Sequence, residues 1–209
     1  MISRSWLSAF AGVCVISLIA CLARAQEKAR VPAIALMDAG DQVQWQNRTR
    51  ELGWQVIAAE GGAEKNIDLR LLSLARKIEE AIQSGAVDAS RVYLAGRGDA
   101  ASAVFYGIAR MPDVWAAAVA LGGSPKPAVD TGRMFSVNFT NVPLMWVSGD
   151  DGKEWVAKLA AAKIDVEWKP VSSGANAASV FQWLGSHRRD EFPLKIDCET
   201  LSPQFAHCY

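Results

Sequence analysis

The sequence predicts an α/β domain: a mostly parallel sheet of about six strands with helices on both faces and no cap domain. Three observations carry this expectation. Short apolar runs alternate with segments of helical periodicity along residues 32–189, the order that right-handed strand–helix–strand crossovers produce. The strand-like runs are apolar at successive positions, as a sheet buried on both sides requires. Hydrophobic residues make up 51% of the 209, enough for one ordinary core in a chain of this length.

The elements follow in order. Residues 32–40, PAIALMDAG, form a buried strand closed by an Asp-Ala-Gly turn. Residues 42–52 read as a helix stopped by Gly53, and 54–60 as the second strand. Leucine and isoleucine at helical spacing mark a helix over 68–85, which Gly85 ends. RVYLAG (91–96) is the third strand and 99–110 its helix. Residues 114–123 and 142–151 are the fourth and fifth strands, 153–163 a helix, 164–171 the sixth strand and 177–189 the closing helix. Between them, 123–141 reads as the longest irregular stretch, too short for a cap domain, and the tail around 195–200 alternates like an extra strand. Tryptophans at 115, 146, 155, 168 and 183 read as packing residues rather than an aromatic cage.

Charge sets limits on partners. Twenty-two basic residues balance twenty-two acidic ones, which gives no electrostatic reason to expect nucleic acid or an anionic membrane surface. The first 26 residues carry Arg4, an apolar run over 6–20, and Ala23-Arg24-Ala25 before Gln26, the pattern of a secretory signal peptide over residues 1–25. A second cleavage reading stays open: Leu18-Ile19-Ala20-Cys21 resembles a lipobox that would leave a lipidated Cys21 at the mature end. Either would place a domain of residues 26–190, with an extension over 191–209, outside the cytoplasm. Loss of residues 1–25 removes Arg4 and Arg24 and no acid, leaving 20 basic against 22 acidic side chains. Cys198 and Cys208 then remain, a plausible disulfide in an oxidising compartment. With His207 alone beside them they fall short of the four ligands of a closed zinc site.

The chemistry gathers on the loops that follow the strands. The segments RVYLAGRGDAASAV, PDVWAAAVALGGSP and VPLMWVSGDD resemble secreted bacterial α/β-hydrolases of the esterase, dienelactone-hydrolase or polyester-depolymerase kind, over most of residues 31–190. That resemblance implies a G-x-S-x-G elbow carrying a serine nucleophile, an acid after a later strand and a histidine after the last one. The elbow aligns as Gly96-Arg97-Gly98-Asp99-Ala100. Its nucleophile slot holds Gly98, which cannot form an acyl-enzyme. Asp99 stands where the family uses a backbone N–H for its oxyanion hole, and a carboxylate there opposes developing negative charge.

The family spacing puts the acid slot on Gly152, or on Asp151 with a one-residue slip, with Asp150 beside it. The histidine slot falls on Ala175 or Asn176, while the mature chain's histidines are His187 and His207. Without an imidazole nearby, Ser102, Ser172 and Ser173 keep their unactivated hydroxyls. The oxyanion strand ends in Asp38-Ala39-Gly40 where the family often has His-Gly.

A polar ligand rim is a further candidate, made of Asp38, Gly40, Arg97, Asp99, Asp150 and Asp151. Carboxylates converging there would suit a cation or an amine, but on separate loops they read as a solvated rim, and neither metal nor cofactor is implied. The Arg97-Gly98-Asp99 tripeptide is accounted for by the elbow. The sequons at Asn47 and Asn138 carry little weight beside a bacterial-looking leader. The expectation is an exported, catalytically inactive hydrolase-fold protein that binds or scaffolds an unknown protein or small molecule. Two alternatives stand beside it: an esterase-like enzyme with a non-standard site, and an envelope lipoprotein acting through protein contacts, with membrane attachment only through Cys21.

Overall fold

The computed structural model describes residues 29–59, 66–171, 176–190, 197–200 and 205. The leader, Cys21, Ala175, His207 and Cys208 lie outside the described residues. No helix among the described residues is long and apolar enough to cross a membrane.

Six strands form one sheet: β1 (Val31–Leu36), β2 (Gln55–Ala58), β3 (Val87–Arg97), β4 (Ala117–Leu121), β5 (Leu144–Ser148) and β6 (Glu167–Pro170). Their spatial order is β2-β1-β3-β4-β5-β6, and every neighbouring pair is parallel. The chain steps outward from β1 to β2, then returns to the other side of β1 and advances to β6. The crevice between the carboxyl ends of β1 and β3 is therefore the switch point where such folds gather ligands.

Helices cover both faces, as the uninterrupted apolar strands demand. On one face α1 (Gln42–Leu52) and α7 (Ala177–Gly185) bring Trp45, Val180, Phe181 and Leu184 against Ile34, Leu36, Tyr93 and Val119. On the other, α2 (Ile67–Gln83), α3 (Asp99–Arg110) and α6 (Asp151–Ala161) cover Ala33, Ala35, Leu94, Ala118 and Trp146. In α2 the buried residues are Leu71, Leu74 and Ile78, one stripe at helical spacing, and Asn66 caps its first turn by accepting from the Asp68 and Leu69 N–H groups. Trp115 and Trp146 are fully buried and bond Gly107 O and Gly122 O through their indole N–H groups.

Three expectations need correction. The third strand begins at Val87, before the expected start at 91, because Val87 pairs with Val31 and the register shifts before Ala33 meets Val92. Asp88 holds that irregularity, accepting from Ser90 N and Oγ and from Arg91 Nε at 2.6–3.0 Å. The stretch 123–141 is not wholly irregular: it carries α4 (Lys126–Asp130), with a proline in its first turn and a Lys126–Asp130 ion pair, and α5 (Ser136–Phe139). The tail's described part, 197–200, is not a strand. Side-chain amides hold its backbone instead. Asn138, 1% exposed, exchanges two hydrogen bonds with the Glu199 peptide and donates to Ala109 O, and Asn141 donates to Asp197 O. A residue so enclosed is no glycosylation acceptor in the folded chain. Cys198 is disulfide-bonded.

Tyr93 ties β3 to the start of β2 and to the segment after α7. Its ring stacks on Trp54 at 5.2 Å and its hydroxyl donates to His187 O at 3.0 Å. Burial pushes its phenol from 10.0 up to about 12. Its contribution to stability is therefore complete below pH 10 and is lost as pH rises towards 12. Tyr93→Phe is expected to cost about 1 kcal/mol at neutral pH through the lost hydrogen bond and to flatten the alkaline fall. Urea midpoints across that pH range check both.

Candidate functional site

The turn between β3 and α3 is a tight strand-to-helix turn with Gly98 at its tip. Gly98 sits at φ 58°, ψ −127°, a backbone state that L-residues rarely adopt and that costs on the order of 1–3 kcal/mol when imposed on one. Its N–H donates to Leu121 O at 2.9 Å, which ties the tip to the end of β4. A Cβ placed on Gly96 would lie 2.5 Å from Ala100 O, so β3 and α3 approach closely enough to exclude any side chain there. A Cβ on Gly98 meets nothing within 4 Å. The turn is therefore closely packed at Gly96 and open at Gly98.

At the first of the two acid positions, Gly152, packing leaves no room for a side chain. Gly152 opens the first turn of α6, and a Cβ on it would collide with Ser148 Oγ and stand 2.6 Å from Trp168 Nε1. That volume is filled by the Trp168 indole N–H donating to Ser148 Oγ at 2.9 Å. Of its neighbours, Asp150 is exposed and pairs with Lys153 Nζ at 3.1 Å, and Asp151 is exposed in the first turn of α6. Gly152→Asp is expected to lower stability by about 1–3 kcal/mol through overpacking, with a shift in tryptophan fluorescence as Trp168 is displaced. An unchanged unfolding midpoint would show that the slot accepts an acid.

At the histidine slot, Asn176 caps α7: its side chain accepts from Ser179 N while Ser179 Oγ accepts from Asn176 N. Ala175 lies outside the described residues. His187, the one histidine among the described residues, stands at the other end of the sheet. Its Nδ1 is 2.8 Å from Trp183 O, and its carbonyl is bonded by Tyr93, four residues before Arg97 on β3, or about 13 Å along a strand. Ser102 Oγ, one turn into α3, accepts from Ser124 N at 2.9 Å and has no imidazole partner among the described residues.

The rim acids do not act together. Asp38 Oδ1 caps the turn by accepting from Gly40 N at 2.8 Å, and its Oδ2 lies 3.9 Å from Arg70. Asp99 is exposed at the start of α3. Among the described residues no three His, Cys, Asp or Glu side chains gather as a metal site would need. Sequence reasoning overlooked Asp41, whose Oδ2 accepts from Arg97 N at 2.8 Å and so places a carboxylate against the elbow itself. Burial raises its pKa, the Arg97 N–H opposes that, and Asp38 adds to the rise. The repeated acid three residues after Asp38 was the available signal. A carboxylate fixed beside the elbow disfavours an oxyanion there, the opposite of what acyl transfer requires.

No protein-family model matches the sequence, and no curated protein matches it either. Solved structures do. A thermostable esterase superposes with a TM-score of 0.56 at 15% identity, over 78% of this chain and 56% of the esterase. S-formylglutathione hydrolase (FrmB) from Staphylococcus aureus superposes with a TM-score of 0.52 at 9% identity, over 75% of this chain and 85% of that enzyme. This chain spans little more than half the length of the thermostable esterase. These likenesses define the class: an α/β-hydrolase-like fold.

Proposed function

We propose that this is an exported α/β-hydrolase-fold protein without hydrolase chemistry, acting as a binding or scaffolding module. The observation that carries the reading is the elbow: Gly98 keeps the strained conformation of a nucleophile position with no group to attack a carbonyl. The Trp168–Ser148 hydrogen bond filling the acid position at Gly152 and the distant placement of His187 support it. Nucleophilic catalysis needs the nucleophile and a base within hydrogen-bond reach, and the described residues hold neither at the elbow. Export rests on the leader's composition, and the pairing of Cys198 with Cys208 belongs to that reading.

The mature chain incubated with a fluorophosphonate is expected to keep its mass. A stoichiometric adduct mapped to a serine would overturn the reading in favour of a non-standard esterase. Intact mass of the protein recovered from cells decides its anchoring: a chain starting at Gln26 fits secretion, and a lipid-bearing Cys21 makes it an envelope lipoprotein.

A further inference from the structure

Beside the elbow, on the face covered by α1 and α7, lies a crevice of about 230 Å³. It is smaller than the about 300–1,000 Å³ of sites for drug-sized ligands. Its walls are apolar and partly aromatic: Trp45, Leu121, Val180 and Phe181. Trp45 and Phe181 pack with tilted rings, centroids 5.8 Å apart, and are 4% and 3% exposed, so the walls are held by the core. The polar lining comes from Gln44, Arg97 and Asn176, and among the described residues no carboxylate lines the crevice. Asp41 bonds the backbone of Arg97 from outside it.

The donors here outnumber the acceptors. Arg97 brings a guanidinium with five N–H groups and no acceptor. Asn176 uses its side-chain oxygen to cap α7, which leaves its NH₂ as the group it offers. The Trp45 indole N–H is closed off from solvent without a hydrogen-bond partner, so Trp45 offers the crevice its apolar ring and not its donor. A cationic group among surplus donors, set over an apolar floor, is complementary to an anion with a hydrophobic body. A planar carboxylate matches the guanidinium fork in geometry as well as charge.

We infer that this crevice is a seat for a small monocarboxylate with a branched or aromatic body, its carboxylate on Arg97 and its body against Trp45 and Phe181. The inference rests on the protein being a non-catalytic binder and supplies the ligand class that reading lacks. It also explains what a site with Asp41 against the elbow can still recognise: an acid held to one side of the tip, where no charge has to develop on it.

The test uses the full mature chain and sodium benzoate, with benzamide as its uncharged counterpart, in isothermal titration calorimetry. Benzoate is expected to bind at least about tenfold more tightly than benzamide. Arg97→Gln removes that preference, and Trp45→Phe weakens benzoate while keeping the aromatic wall. Arg50→Gln, which removes an exposed charge from α1 outside the crevice, leaves binding unchanged. Matching circular dichroism spectra confirm that the variants fold. Equal affinity for benzoate and benzamide, no benzoate binding at millimolar concentration, or an Arg97→Gln variant that binds like the parent would overturn the carboxylate assignment. Steady hydrolysis of methyl benzoate would instead overturn the non-catalytic reading, so the two failures are distinct.

Discussion

Gly96→Ala is expected to destabilise the domain by about 3 kcal/mol or more, at the upper end of what overpacking costs. The added methyl would stand 2.5 Å from Ala100 O and 2.8 Å from Ala100 C. Both are backbone atoms of the first turn of α3, so relief requires moving the helix from β3 rather than turning a side chain. That helix carries Val104, Phe105 and Ile108, all fully buried, and the strain spreads into the core. Gly98→Ser two residues on is expected to behave differently. Its side chain enters open space, so only the positive φ opposes it, at on the order of 1–3 kcal/mol. It should fold, and it should remain inactive for want of a base. Urea unfolding of the two variants beside the parent gives the ranking; equal losses would mean that the elbow is not closely packed.

Asp68→Ala is expected to cost about 3 kcal/mol, because it strands a buried cation. The Arg110 side chain is 1% exposed, its Nε lies 3.5 Å from Asp68 Oδ1, and neither terminal nitrogen has a hydrogen-bond partner. Phe205 from the tail covers the guanidinium at 4.2 Å. Asp68 also accepts from Tyr106 Oη at 2.6 Å and pairs with Arg133 at 3.2 Å. Removing the carboxylate leaves Arg110 without its counter-charge in a low-dielectric setting, the costly half of breaking a buried pair. Replacing both residues, Asp68→Ala with Arg110→Met, is expected to recover much of the loss, since an apolar side chain of similar length suits that site. Denaturant midpoints of the single and double variants form the cycle. A single variant within a few tenths of the parent would show the pair to be idle.

The parallel sheet was legible because its strands are apolar runs bounded by glycine and turn residues, and the periodicity of α2 left one choice of buried face. The elbow was legible for a related reason: Gly96 and Ala100 are what a close strand-to-helix approach permits. What escaped was decided by side chains reaching between segments. The early start of β3 depends on Asp88 bonding its own neighbours, and α5 and the tail depend on Asn138, whose role as a backbone clamp has no local signature. Asp41 was missed because Asp-Ala-Gly-Asp shows a repeated acid but not which of its carboxylates turns toward the β3–α3 loop. The closure of the acid position at Gly152 was likewise hidden, since Gly152 and Trp168 meet only across the β5–β6 edge.

The most direct test of the emptied-elbow account is the turnover of short-chain p-nitrophenyl esters by the purified mature wild-type chain. The account predicts a rate indistinguishable from buffer, unchanged in Gly98→Ser. Saturable turnover well above background by the wild-type chain would contradict it, and would mean that this frame catalyses through groups away from Gly98.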